Sequence, residues 1–150
     1  MRISLPKLLA GIAVCMFMFV CPAVKAQATF NHIALCSKDL KKSNEFYTTV
    51  LNLKIIPNPF KDTVHTWYSI APNIAMHVIQ SNCATTKVIA DHICFSVSSV
   101  PKFAEMLKAK NISYCNWKQV PGQIEHRVDG VSQLYIQDPD GYWIEINDAK

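Results

Sequence analysis

The sequence has no pair of cysteines spaced as CxxC, no segment of low complexity and little excess charge. Without closely spaced cysteines, a zinc site built on thiolates is not expected. The formal net charge of +4 counts Arg2, Lys7 and Lys25 in the first 26 residues, which contain no acidic residue. The remaining 12 basic and 11 acidic residues leave a charge of +1. This balance argues against nucleic acid or an anionic surface as a partner.

The N-terminus begins with a basic segment that an apolar run follows. Arg2 and Lys7 precede the run Leu8–Val20. Val24-Lys25-Ala26 then offers small residues at the positions that signal peptidases require. The pattern predicts a secretory signal peptide over residues 1–26.

Two other interpretations of this N-terminus fit less well. A membrane anchor needs about 20 apolar residues, and the run is shorter. Lipid attachment at Cys15 or Cys21 would require a small preceding residue, and each follows Val. We therefore expect a single exported domain of residues 27–150, periplasmic or secreted, without stable membrane insertion.

Four cysteines remain after cleavage: Cys36, Cys83, Cys94 and Cys115. Export permits disulfides, but four thiols allow three pairings and the sequence does not choose among them. Cys36 and Cys94 lie on predicted strands, and we interpret both as small core residues.

The exported part contains an internal repeat. Asn31-His32-Ile33-Ala34-Leu35 matches Asp91-His92-Ile93-Cys94-Phe95 sixty positions later. Two modules, about 29–80 and 88–148, each have the predicted order strand, helix, strand, strand, strand. The predicted elements are strands Thr29–Cys36, Leu53–Ile56, Val64–Ile70, Ile74–Gln80, Val88–Val97 and Ile112–Trp117, helices Leu40–Leu51 and Lys102–Lys110 with Pro101 in its first turn, and a hairpin Gln133–Asp148.

The closing hairpin contains an unusually placed carboxylate. Asp138-Pro139-Asp140-Gly141 is typical of a tight turn between two strands. In the second strand, Ile144 and Ile146 point to one face while Trp143 and Glu145 point to the other. Burying a carboxylate without a partner is costly, so we expect a cationic group beside Glu145.

Strand alternation places four polar side chains on one inferred concave face. In each case the apolar neighbours along the strand have the opposite parity and are expected to pack on a helix. The four are His32, His77, His92 and Glu145, on the first and last strands of each module. Three imidazoles and one carboxylate suit a divalent metal ion such as Zn, Ni, Fe, Co or Mn.

The chain resembles the vicinal oxygen chelate superfamily, which includes glyoxalase I, fosfomycin-resistance proteins, methylmalonyl-CoA epimerase and extradiol dioxygenases. The resemblance covers about residues 29–148 and is carried by NHIAL, DLKKSNEFYTTVLNLK, DHICFSV and DGVSQLYIQDPDGYWIEI. It implies an α+β fold of two βαβββ modules that form a cupped mixed sheet around one metal ion. It also implies His32, His77, His92 and Glu145 as the ligands.

The resemblance implies chelation of vicinal substrate oxygens by the metal, in a lyase or isomerase of the glyoxalase I type. Glu145, the only carboxylate in the ligand set, would then act as the base. One alternative is an extradiol-type dioxygenase that uses only His32, His92 and Glu145. A second is a metal-free protein that binds a drug, as bleomycin-resistance members do.

Further expectations concern the substrate and the assembly. Arg127 is a candidate for binding a substrate anion, and Trp143 is a candidate cavity wall because it shares parity with Glu145. His65 and His126 are expected at the cavity mouth or in solvent. The substrate is expected to be a small oxygenated molecule. Family members commonly form homodimers, and the four ligands come either from one chain or from two.

Overall fold

A computed structural model describes residues 28–83 and 86–150, and the predicted signal peptide lies outside the described residues. The elements in chain order are β1 (His32–Ser37), α1 (Leu40–Thr49), β2 (Lys54–Ile56), β3 (His65–Ala71), β4 (Ile74–Gln80), β5 (His92–Ser96), α2 (Val100–Ala109), β6 (Glu125–His126), β7 (Ser132–Gln137) and β8 (Trp143–Asn147). None of these helices is long and apolar enough to cross a membrane.

The N-caps of both helices lie where the sequence predicts, whereas α1 ends at Thr49 and not at the predicted Leu51. Asp39 caps α1 by accepting from the Lys42 amide, and Ser99 caps α2 in the same way. Asn52 and Asn111 follow the two helices with φ angles of 53° and 55°, the left-handed conformation in which Asn is tolerated. The repeat therefore includes the signals that end each helix.

Each module forms its own four-stranded mixed sheet. The strand orders are β1-β4-β3-β2 and β5-β8-β7-β6. In both modules the first and last strands run parallel and side by side, as β1 with β4 and β5 with β8. This confirms two βαβββ modules, and it leaves β1 and β5 as sheet edges.

The predicted assignment of faces is confirmed. One core cluster contains the residues assigned to the helix side, among them Leu35, Met76, Val78, Ile144 and Ile146. All four candidate ligands lie on the opposite faces of their strands. Burial of the apolar side chains of each strand thus determines the face on which its alternate, polar side chains lie.

Three details of the second module differ from the prediction. The predicted strand Val88–Val97 is shorter, since β5 spans only His92–Ser96. The segment 112–117 is not a strand, and only Cys115 forms bridges, with Pro121 and Tyr135. The expected loop 119–127 contains the short strand β6. Both segments lie at the edge of the sheet, where few backbone partners extend a ladder.

The interpretation of two cysteines as core residues is wrong. Cys36 forms a disulfide with Cys83, which joins β1 to the segment after β4. Cys94 is a free, exposed cysteine, while Cys115 is free and buried. Cys36 and Cys94 share the parity of His32 and His92, so both lie on the face away from the helices.

The hairpin turn joins the two modules. The Asp140 carboxylate accepts hydrogen bonds from the Lys38 amide and the Ser43 hydroxyl, at 2.8 and 2.9 Å. The Asp138 carboxylate accepts one from the Tyr47 hydroxyl. The turn that sets the register of β8 is therefore held against the start of the first module.

Candidate metal centre

The structure brings the four predicted ligands together as two pairs and not as one group. His32 and His77 lie on the first sheet, with ring centroids 5.1 Å apart. His92 and Glu145 lie on the second, with Nε2 of His92 3.1 Å from Oε2 of Glu145. Within residues 28–83 and 86–150, no three His, Cys, Asp or Glu side chains converge closely enough to hold a metal ion. A four-ligand site inside one chain is therefore not formed in this structure.

His77 lies deep in the first sheet, with only 8% of its surface exposed. The Nδ1 atom of its ring is buried and has no hydrogen-bond partner among residues 28–83 and 86–150. Burial lowers the pKa of His77, and the charges of His32 and His65 lower it further. The neutral form of the ring, which is the form that binds metal ions, is thus favoured.

His65 extends this cluster of imidazoles. Its ring stacks on that of His77 with centroids 5.9 Å apart, and its Nδ1 lies 2.9 Å from both carboxylate oxygens of Asp62. His65, which was expected at the cavity mouth or in solvent, therefore contacts the candidate ligand His77. His126, by contrast, is exposed and contacts Ser132.

The orientation of His92 suits a ligand. Its Nδ1 lies 2.8 Å from the carbonyl oxygen of Ile89, to which it can donate, and its Nε2 faces Glu145. A backbone carbonyl on one ring nitrogen is the usual device that orients the other nitrogen toward a metal.

Glu145 is 5% exposed, and several donors surround it. Tyr135 donates to Oε2 at 2.8 Å, and Asn147 donates to Oε1 at 2.9 Å. Burial on its own would raise the pKa of Glu145, but the hydrogen bonds from Tyr135, Asn147 and Cys94 and the charge of His92 together lower it. The side chain is therefore ionised at neutral pH.

The cationic partner that Glu145 was expected to need is present. It is the Arg127 guanidinium, whose Nη1 lies 3.9 Å from Oε1 of Glu145, while its Nη2 bonds Asp129 at 2.5 Å. The prediction that Arg127 binds substrate stays a prediction, because the guanidinium contacts carboxylates of its own chain.

Trp143 lines a cavity of about 340 Å³ together with Tyr135 and Cys115. None of the residues that line this cavity carries a charge. Glu145 does not line the cavity, but its hydrogen-bond donor Tyr135 does.

Sequence reasoning did not identify the Tyr135 hydroxyl as a partner of Glu145. The two residues are a cross-strand pair of β7 and β8. A tight turn at 138–141 fixes the register of the hairpin, so this pairing could have been derived from the sequence. The Asp62–His65 contact has a weaker signal, a spacing of three residues in a loop.

Residues 29–146 match the model of the Glyoxalase/Bleomycin resistance protein/Dioxygenase superfamily. A lactoylglutathione lyase from Pseudomonas putida is 27% identical over 157 residues, which cover 81% of this chain and 85% of that protein.

Solved structures share the fold. Oxidase ChaP-H2 superposes with a TM-score of 0.67 at 24% identity, covering 82% of this chain and 94% of that one. A fosfomycin resistance protein, FosX, from Listeria monocytogenes has a TM-score of 0.66 at 20% identity, covering 83% and 95%. A lactoylglutathione lyase from Agrobacterium tumefaciens has a TM-score of 0.63 at 16% identity, covering 83% and 96%. The chain belongs to the Glyoxalase/Bleomycin resistance protein/Dioxygenase superfamily.

Proposed function

We propose that this protein is an exported, metal-dependent lyase or isomerase of the glyoxalase I type. In this proposal it works as a homodimer and binds a small substrate through two neighbouring oxygens. His32 and His77 of one chain and His92 and Glu145 of the other would hold the divalent ion.

The buried, unpartnered Nδ1 of His77 carries the proposal for a metal. A buried polar atom without a partner is costly, and few occur in native proteins. A neutral imidazole nitrogen is a ligand that Zn, Ni, Fe, Co and Mn accept. The remaining ligands supply two more imidazoles and a carboxylate, so the residues present fit such an ion.

His77 also favours four ligands over three. A dioxygenase site of His32, His92 and Glu145 would leave His77 Nδ1 buried and unpartnered. With four protein side chains holding the ion, its remaining positions would be available to a substrate that binds through two oxygens. The lyase or isomerase is therefore the better supported reaction class.

The separation of the ligand pairs supports a shared site. Each pair lies on two parallel neighbouring strands, and one strand of each pair is a sheet edge. Unpaired edges are suited to meeting a second chain. A dimer that joins the first module of one chain to the second module of its partner would form two four-ligand sites.

The bound metal would act as a Lewis acid that polarises the substrate oxygens. Glu145 would take up a proton on its carboxylate from the carbon next to a substrate carbonyl, because it is the only carboxylate in the ligand set. Tyr135 and Asn147 hold that carboxylate in place, each donating to a different oxygen. The uncharged cavity beside Tyr135 and Trp143 would take an apolar part of the substrate.

The Cys36–Cys83 disulfide supports export, because the cytosol keeps thiols reduced. It agrees with the signal peptide predicted at residues 1–26. An exported protein does not share the cytosolic glutathione pool, so the substrate is defined only as a small oxygenated molecule.

Metal analysis of untagged protein tests this proposal. The wild type should retain about one divalent ion per chain, and His77→Ala should lose most of it. His126→Ala, which changes an exposed histidine, is the matched control and should retain metal. Unchanged metal content in His77→Ala, or a metal-free wild type, would contradict the proposal.

A further inference from the structure

Two neighbouring polar atoms on the first sheet have no hydrogen-bond partner in the part of the chain that the structure describes. They are the indole Nε1 of Trp67 and Nδ1 of His77, and both are buried. Trp67 on β3 lies directly opposite His77 on β4. Their ring centroids are 4.2 Å apart at an interplanar angle of 31°.

The two atoms do not satisfy each other. The indole N–H points outward in the plane of its ring, and the imidazole lone pair lies in the plane of the other ring. Because the rings lie nearly face to face, neither group points at the other. The other rings around Trp67, those of His32 and Phe60, have centroids at 5.7 and 6.1 Å. His32 already has its Nδ1 against Asn31.

On the opposite face of the same sheet, and on helix α1, this module does pair its aromatic polar groups. The Tyr68 hydroxyl, next to Trp67 in sequence, bonds Asn44 at 2.5 Å, and the Tyr47 hydroxyl bonds Asp138 at 2.7 Å. Buried Tyr and Trp generally find such partners. The unpaired indole on the concave face therefore points to an acceptor that comes from outside these residues.

On the basis of the proposed function, we propose that Trp67 is a substrate-binding residue whose indole N–H donates to an oxygen of the substrate. An indole nitrogen donates and does not accept, so the group selects an acceptor. A negatively charged oxygen is the strongest acceptor for it. The donor would thus favour a substrate that carries an anionic oxygen beside His32 and His77.

Because the Nε1 atom of Trp67 is buried, a substrate reaches it only if a neighbouring side chain moves, and the candidate is Phe60. Phe60, on the segment between β2 and β3, packs against both His65 and Trp67. It is 59% exposed, so its own packing opposes displacement weakly. The substrate would take the place of the Phe60 ring over Trp67.

Titration calorimetry with a chelating probe tests the inference. The probe is acetohydroxamate, which presents two neighbouring oxygens, added to protein loaded with Zn²⁺. Trp67→Phe keeps an aromatic ring and removes the N–H, and it should bind acetohydroxamate about tenfold more weakly or worse. Its affinity for Zn²⁺ should stay within about threefold of wild type. Tyr68→Phe, which removes a hydrogen-bond donor from the opposite face of the same strand, is the matched control and should leave both affinities unchanged.

The possible outcomes separate this inference from the proposed function. Equal acetohydroxamate affinity in wild type and Trp67→Phe, with Zn²⁺ bound in both, would overturn the role of Trp67 alone. A weaker dimer with unchanged acetohydroxamate affinity would also overturn it, because the N–H would then serve the partner chain. Absence of Zn²⁺ binding by the wild type would overturn both.

A measurement on unsubstituted protein covers the case in which Trp67→Phe does not fold. The chain has three tryptophans, so its ¹H–¹⁵N spectrum has three indole signals. Addition of acetohydroxamate should move the Trp67 indole proton downfield. A Trp67 signal that stays in place would overturn the inference.

Discussion

The Tyr47 hydroxyl donates a 2.7 Å hydrogen bond to Oδ2 of Asp138, and both residues are buried. Tyr47 lies on α1 of the first module, and Asp138 lies in the hairpin turn of the second. The other carboxylate oxygen of Asp138 accepts from the amides of Asp140 and Tyr142 inside the turn. One carboxyl thus shapes the turn and joins the modules.

Replacing Tyr47 with Phe should destabilise the protein by about 2 kcal/mol, because Oδ2 of Asp138 then stays buried without its donor. Burial raises the pKa of Asp138 and the bond from Tyr47 lowers it, so the variant should raise it further. Urea unfolding measures the loss of stability. Tyr68→Phe, which loses a bond to the neutral amide of Asn44, is the matched control and should cost about half as much. Equal losses in the two variants would contradict the account.

The Cys36–Cys83 disulfide should contribute about 4 kcal/mol, since it closes a loop with a sequence separation of 47 residues in the unfolded chain. Adding dithiothreitol should therefore lower the midpoint of thermal unfolding of the wild type. The double variant Cys36→Ala/Cys83→Ala should unfold at that lower temperature and should not respond to the reductant. A reductant effect of equal size in the double variant would argue against this disulfide.

The buried imidazole of His77 should make stability depend on pH. Its pKa is lowered in the folded state from 6.5, mainly by burial, so the unfolded chain takes up a proton first as the pH falls. The stability that neutral His77 gives is complete above pH 6.5 and is lost as the pH falls from there toward the folded-state pKa. Metal-free wild type should therefore lose more stability between pH 7.5 and 5 than metal-free His77→Gln. Parallel pH profiles for the two proteins would contradict this prediction.

Much of the fold could be predicted because the two modules repeat the same pattern of strands and helix. Alternating apolar residues locate the strands, and the repeat of His32 at His92 sets the two modules in register. Ile144 and Ile146 are buried on the helix side, and this alone places Glu145 on the other face. Local patterns were sufficient for each of these features.

The pairing of cysteines and the gathering of the ligands could not be predicted in the same way. Both depend on which strands become neighbours in the sheet. The alternation of apolar and polar residues along a strand does not determine this. Cys36 and Cys83 come together because β1 runs parallel to β4. His32 and His77 meet for the same reason, whereas His92 and Glu145 lie on a separate sheet.

The most direct test of a metal site shared between two chains uses a mixed dimer. One chain carries His32→Ala/His77→Ala and the other carries His92→Ala/Glu145→Gln, and the mixed dimer is isolated through two different affinity tags without histidine. A shared arrangement leaves one of its two sites with all four ligands, so one tightly bound Zn²⁺ per mixed dimer is expected and none in either variant alone. A mixed dimer that binds no Zn²⁺, while the wild type binds two, would contradict the account.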